Sequence, residues 1–356
     1  MASPTATVDN FPPAVSVQEL IKQPFVSVPQ SYVQSDQGIF KPADCFPSVP
    51  TIDLKLLLSE ETAALELEKL HSTCKEWGLF QLVNHGVSSS LLENMRNEIE
   101  EFYNLPLEEK MKYKIRQGDV EGYGTVATIG RIFDWGDRFY MITNPIHRRK
   151  PHLLPELPSS LRNNLESYIL ELQKLSMKLV GFMAKALKID RKEMEEMFDD
   201  GMQSVRMTYY PPCPQPELVL GIFPHSDATG ITILNQINGV DGLQIKKDGV
   251  WIPVSFLEGS LVVNVGDILE ILSNGLYHSI EHRAAVNSEK ERISIAFFVN
   301  PKFEAEVGPA ASLINSQNPP LFRRIGMEKY VKDFFSLKLN GKSYLEHMKV
   351  QIEDGN

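Results

Sequence analysis

The chain has 356 residues, with 36 Lys plus Arg against 46 Asp plus Glu and a net charge of −10. That balance excludes a protein held to nucleic acid mainly by phosphate contacts. An apolar share of 42% with 23% charged residues excludes disorder as the main state. The three cysteines, Cys45, Cys74 and Cys213, are odd in number, far apart and without a C-x-x-C. They suggest neither a disulfide framework nor a zinc finger, and a reducing, cytoplasmic location is expected. No secretory signal is read in the first twenty residues, and the apolar runs are strand-length, so no membrane partner is expected.

Residues 1–48, rich in Pro, Ser, Val and Gln, read as an extended or partly ordered arm. A short strand follows at 49–54. Ser59-Glu60-Glu61 has the composition of a helix start, an acceptor followed by acids. Ala63, Leu67, Leu70, Cys74 and Trp77 then recur at helical spacing, and Gly78 ends the run. Residues 79–83 read as a buried strand. Leu92, Met95, Ile99 and Phe102 mark a second helix, and Leu165, Ile169, Leu172, Leu175, Leu179 and Met183 a long third one over 161–187. These stripes are core faces rather than cofactor contacts. After about residue 202 the texture becomes β-rich, with runs at 203–210, 231–237, 243–247, 250–254, 261–265, 268–272, 277–284 and 292–299. Asp248-Gly249 has the composition of a tight hairpin turn. About eight short strands suggest a sandwich or jelly roll. Residues 327–350 return to a helical pattern. The chain is therefore divided into an arm (1–48), a helical/β region (49–200), a β core (201–305) and a helical tail (306–356).

His225 and Asp227 stand two apart in G-I-F-P-H-S-D, a spacing that puts both side chains on one face of a strand. His282 follows 55 residues after Asp227, and opposite ends of a jelly roll can bring the three together. Two histidines and a carboxylate are the ligand set of a non-haem Fe(II) oxygenase, with coordination positions left open. A bare H-x-D with a remote His also arises by chance, but a second constellation accompanies it. Arg292 and Ser294 share a strand face ten residues on, and a guanidinium with a hydroxyl makes a clamp for a carboxylate.

In this order the motifs resemble the plant 2-oxoglutarate- and Fe(II)-dependent dioxygenases, nearest the thebaine and codeine O-demethylase-like subgroup. They are C-K-E-W-G-L-F-Q-L-V-N-H-G-V at 74–87, F-Y-N-L-P-L-E-E-K at 102–110, Y-Y-P-P-C-P-Q-P at 209–216, H-S-D-A-T-G-I-T-I-L at 225–234, N-V-G-D-I-L-E-I-L-S-N-G at 264–275, then E-H-R and R-I-S. The resemblance covers roughly 45–345. It implies a mainly β fold with flanking α, a distorted double-stranded β-helix. It implies Fe(II) bound by His225, Asp227 and His282, and 2-oxoglutarate held by Arg292 and Ser294 with Tyr210 helping. It also implies O2 as oxidant, ascorbate as reductant, and succinate and CO2 as co-products. The E-H-R context selects His282 over His278, four residues earlier. His85 is read as structural, and His71, His147, His152 and His347 as solvated or locally bonded.

Three departures stand out from the family pattern. Thr208 replaces the common Asn before Tyr-Tyr-Pro, so an amide contact to the keto acid is lost or replaced by a hydroxyl. Asn235 stands where an apolar residue is commoner, facing a polar substrate or satisfying a loop. The stretch between Gly124 and Trp135 is about two residues short. By family position the substrate side chains are Tyr123, Phe139, Phe223 and Phe298, with Arg206 reaching a polar substituent. Such a lining suits a flat, largely apolar plant metabolite (an alkaloid, flavonoid or coumarin) that is hydroxylated or O- or N-demethylated by a monomeric enzyme. A condensing lyase on the same fold and a non-catalytic binder are the alternatives.

Overall fold

The computed structural model describes residues 16–22, 27–34, 48–125, 132–336 and 342–351. Its strands are β1 (Thr51–Asp53), β2 (Leu79–Val83), β3 (Gly122–Gly124), β4 (Asp137–Asn144), β5 (Gln203–Tyr210), β6 (Ile222–His225), β7 (Ile231–Gln236), β8 (Leu243–Lys247), β9 (Val250–Pro253), β10 (Leu261–Val265), β11 (His282–Ala284) and β12 (Arg292–Val299), followed by a small two-stranded pair. Its helices are α1 (Val17–Leu20), α2 (Leu54–Leu58), α3 (Ala63–Glu76), α4 (Ser89–Asn104), α5 (Leu107–Lys110), α6 (Ser159–Leu187), α7 (Arg191–Phe198), α8 (Asp267–Leu272), α9 (Met327–Ser336) and α10 (Ser343–Met348).

An eight-stranded sheet runs β1-β2-β10-β7-β12-β5-β4-β3, and a four-stranded sheet runs β6-β11-β8-β9. All pairs are antiparallel except β1 with β2. Leu79 and Val262 of the large sheet pack with Leu243, Ile245 and Ile252 of the small one, closing one end of the sandwich. This is the double-stranded β-helix. Strands from before residue 200 complete the same sheet as the later ones.

The other face of the large sheet meets the helices. Ile233, Ile293, Ile295 and Phe297 share one core with Leu165, Leu172 and Leu179 of α6 and Ile99 and Phe102 of α4. Each such fully buried aliphatic side chain contributes roughly 1.5–3 kcal/mol. Asp248 (φ 51°) and Gly249 (φ 78°) form the two-residue turn between β8 and β9, paired Lys247 to Val250. Gly78 ends α3 at φ 63°, its Cα so close to the His278 carbonyl that a Cβ would lie 2.0 Å from that oxygen. Only glycine serves there.

Four expectations change. Residues 268–272 form helix α8, not a strand, and in 277–284 only His282–Ala284 is strand. A short apolar run carries no periodicity able to separate the two states. Ser59 starts no helix but is the C-cap of α2; α3 begins after Thr62, and the N-capping carboxylate is Asp53, whose Oδ1 accepts from Lys55 N at 2.8 Å at the start of α2. The arm contains α1, pinned by Val17 N donating to Asp137 Oδ1 at 2.7 Å. The remainder of the arm (1–15, 23–26 and 35–47), Cys45 and most of the shortened stretch (126–131) lie outside the described residues. Among those described, no helix is long and apolar enough to cross a membrane.

Candidate active site

His225 closes β6, and His282 opens β11 directly opposite it across an antiparallel pair. Their ring centroids are 4.3 Å apart. Asp227 lies just beyond the strand end, where the chain turns back. Its Oδ1 is 3.6 Å from His225 Nε2 and 3.7 Å from His282 Nε2, and the ligand atoms of the three residues all lie within 4.8 Å of one another. The His225 Nδ1–H donates to the Phe223 carbonyl at 2.7 Å, and the His282 Nδ1–H to the Ile280 carbonyl at 3.1 Å. Both Nε2 lone pairs are thereby turned inward, and His225 Nε2 is buried with no hydrogen-bond partner. Asp227 Oδ2 accepts from the Thr232 hydroxyl at 2.7 Å and from Asn264 Nδ2 at 3.5 Å. Burial would raise the Asp227 pKa, but His282, His225 and the Thr232 hydroxyl prevail and hold it well below the carboxylate range. Burial depresses His282 to about 4, partly opposed by Asp227. A preoriented imidazole pair beside an ionised carboxylate is a donor set suited to Fe(II). Among the described residues this is the one such group of three.

From the triad a narrow recess runs inward to Tyr210, Arg292 and Ser294. The register pairs Arg292 with Tyr210 and Ser294 with Thr208. Arg292 is 3% exposed, its guanidinium 5.0 Å from the Tyr210 ring centroid and its Nε without a partner. A buried guanidinium with an unused donor is costly until an anion reaches it. Gly242 makes room: a Cβ there would sit 2.6 Å from Arg292 Cδ. The unpartnered atoms of His225 and Arg292 fit a dication at one end of the recess and a carboxylate at the other. A wider cavity opens on the other side of the triad, beneath α9.

Residues 201–301 match the 2OG-Fe(II) oxygenase superfamily, and residues 49–158 match the N-terminal region of the non-haem dioxygenase in morphine synthesis. The chain is 48% identical over 338 residues to the oxoglutarate-dependent flavonoid 7-O-demethylase 1 of Ocimum basilicum, covering 94% of this chain and 91% of that protein. It is 48% identical over 344 residues to codeine O-demethylase of Papaver somniferum, covering 94% and 96%. The chain belongs to the 2-oxoglutarate- and Fe(II)-dependent oxygenases. The crystal structure of JOX2 in complex with 2OG, Fe, and JA superposes on this oxygenase with a TM-score of 0.86 at 35% identity, covering 95% of this chain and 98% of that one.

Within this oxygenase, Arg206 and Phe298 line both cavities. Tyr123 and Phe139 line neither. Phe139 is fully buried on the helix side of β4, stacked on Phe102 at 5.1 Å. Tyr123, its cross-strand neighbour, donates its hydroxyl to Asp137 Oδ2 at 2.8 Å on that same side. Both are core, because side chains alternate across the sheet and the cavity receives the even-numbered residues of β4. Asn235 likewise faces the helices, beside the Tyr168 hydroxyl, rather than a substrate. Phe223 serves the site through its backbone: its carbonyl orients His225 and its N–H donates to Asp134 Oδ1 at 3.1 Å, while its side chain is absent from the cavity walls. Thr208 lines a small side recess with Asp134, Arg138 and Arg206.

The sequence reading missed Arg138 and Tyr140, which line the wider cavity, and Tyr330 and Phe334 of α9, which roof it. The signal for the β4 residues is the alternation Phe139–Met141 against Arg138–Tyr140, masked by the acid Asp137 at the head of the apolar face. His278 stands 3.7 Å from Glu270 and outside the triad. His85 Nε2–H donates to the Gly259 carbonyl at 3.0 Å, and His71 meets the Tyr277 hydroxyl at 3.1 Å.

Proposed function

We propose that His225, Asp227 and His282 hold Fe(II), that Arg292 and Ser294 hold the distal carboxylate of 2-oxoglutarate, and that the oxygenase removes an O-methyl group from an aromatic plant metabolite. Bound Fe(II) with 2-oxoglutarate supplies oxygen activation, coupled to loss of CO2 and formation of succinate. The protein's share is positional. The Phe223 and Ile280 carbonyls fix the two imidazoles, and Thr232 and Asn264 fix the carboxylate of Asp227. Arg292 orients the keto acid from the far end of the recess, so that its keto acid head points to the triad. Phe298 and Phe334 supply apolar surface for a ring and exclude water. Hydroxylation of a methyl carbon on oxygen gives a hemiacetal, which collapses to formaldehyde and a phenol.

The observation that carries this reading is the continuous recess joining the triad to an unpaired, buried Arg292. The demethylase activities named for relatives of 48% identity support the reaction type. The same reading takes the protein as a cytoplasmic monomer without nucleic-acid or membrane partners, supported by the net charge of −10 and by free, buried Cys74 and Cys213. The test is a panel of methoxylated flavonoids and alkaloids, with succinate and formaldehyde measured together. Equimolar release is expected. Arg292→Lys, which loses the planar fork, is expected to raise the KM for 2-oxoglutarate about 10–100-fold. Product formation without succinate would overturn the proposal in favour of condensation chemistry.

A further inference from the structure

We propose that the substrate carries a carboxylate remote from the oxidised carbon, and that Arg138 and Arg206 form the subsite that binds it. This rests on the reading above that the wider cavity receives the substrate.

Register puts the two arginines on one face. Arg138 pairs with Thr208 and Tyr140 with Arg206, so Arg138 and Arg206 are diagonal neighbours across β4 and β5. Such positions lie within reach of long side chains. Both arginines line the wider cavity together with His225 and Asp227, and both line the side recess next to Thr208.

Neither guanidinium is satisfied. Each Nε is buried without a hydrogen-bond partner. Arg138 reaches one acceptor, the Val120 carbonyl, at 3.5 Å through Nη2. Arg206 lies 5.4 Å from the Phe298 ring centroid. Among the described residues neither makes an ion pair. Of the nearby acids, Asp119 and Glu121 pair with Lys150, while Asp134 shares the side recess with both arginines and attracts both without an ion-pair contact. Asp134 is in any case one charge against two. Burial, then repulsion from Arg206, brings the pKa of Arg138 down to about 10, only partly opposed by Asp134.

Two unpaired like charges on adjacent strands destabilise the fold, and residues so arranged in a cleft mark a functional site. Arg292 already answers the co-substrate at the far end of its recess; Arg138 lies outside that recess and Arg206 borders both cavities, so the pair can take another anion on the wider side. The cavity also carries an apolar set, Met202, Phe298, Val331 and Phe334, beside the polar Ser204, Thr229 and Asn300. Its ligand is therefore amphipathic: an apolar body with one acidic end, seated on planar forks that match a carboxylate.

The test uses the full chain with Fe(II) and 2-oxoglutarate in the absence of oxygen. A set of methoxylated aromatic acids, 4-methoxycinnamate among them, is titrated calorimetrically, each acid against its own carboxamide. The acid is expected to bind roughly tenfold or more tightly than the amide. Arg138→Met and Arg206→Met should each erase most of that preference, and Arg138→Lys should restore part of it. The affinity for 2-oxoglutarate should change less than twofold in the Arg138 variants, which also reports their folding. Equal binding of acid and amide, binding of neither, or a preference that survives Arg138→Met overturns the subsite. The charge-transfer absorption of the anaerobic Fe(II)–2-oxoglutarate complex tests the oxygenase reading separately, and the acid-over-amide preference, measured also without metal, tests the subsite alone.

Discussion

The two faces of the eight-stranded sheet are built from the same strands and share almost nothing chemically. On β12, Ile293, Ile295, Phe297 and Val299 meet the helices, whereas Arg292, Ser294, Ala296 and Phe298 meet the cavity. On β7, Ile231 and Ile233 lie on one side and Thr232 and Leu234 on the other. On β5, Val205, Met207 and Tyr209 oppose Ser204, Arg206, Thr208 and Tyr210. One face holds the fold together and the other performs the chemistry. A displacement of one residue in a strand's register would exchange them. Substitution on the helix face should therefore cost stability and leave ligand affinities alone, and substitution on the cavity face should do the reverse.

The largest effect tests the helix face. Phe139→Ala removes a fully buried ring stacked on Phe102 and packed against Tyr113. A loss of about 3–5 kcal/mol is expected from denaturant unfolding, with the 2-oxoglutarate affinity of the folded fraction unchanged. A large fall in that affinity with unchanged stability would put Phe139 back at the substrate, where the family pattern alone would place it.

The fate of β4 explains how much was legible in the sequence. The triad and the Arg292–Ser294 pair could be read because each has a spacing of two and a chemistry that few residue sets share. The strand Asp137–Asn144 could not, because its helix face begins with a carboxylate. Asp137 is buried there, accepting from Val17 N at 2.7 Å and from the Tyr123 hydroxyl at 2.8 Å. A buried acid on the apolar face and Ile142 on the other hide the alternation, so Phe139 passed for a pocket residue and Arg138 was overlooked. Helix α8 was hidden for a different reason. I-L-E-I-L reads equally well as strand or helix, and what decides it is tertiary: Asp267 N donates to the Asp227 carbonyl at 2.7 Å and Ile268 N to the Thr229 carbonyl at 3.0 Å, tying the helix to the metal-site turn. The roof of the cavity comes from α9, remote in sequence and carrying no motif.

The next effect in size tests the cavity face. Thr232→Val keeps the shape of the side chain and removes the hydroxyl that donates to Asp227 Oδ2 at 2.7 Å. Partners of metal ligands are typically worth about 10–100-fold in metal affinity, and a Fe(II) titration under anaerobic conditions is expected to weaken by that amount. Stability of the metal-free chain should change by less than about 1 kcal/mol, since the freed Asp227 oxygen keeps its contact with Asn264. A stability loss without a metal effect would mean that the hydroxyl is structural.

The smallest effect belongs to the residue that looks misplaced. Asn235 is the amide of β7, and its position directly after I-T-I-L invites a substrate role. Parity rules that out: Leu234 and Thr232 face the cavity, and Asn235, paired with Ile295 on β12, faces α6 beside the Tyr168 hydroxyl. Its amide lies beside the Tyr168 hydroxyl on the helix side, so its net worth is small. Asn235→Leu exchanges that contact for apolar burial of similar volume, and the two terms nearly cancel, to within about 1 kcal/mol. Succinate release per formaldehyde should be unchanged in this variant. If instead Asn235→Leu uncouples the two products while the fold holds, the amide acts across the sheet on the cavity side, and the division of labour between the faces is less complete than their composition indicates.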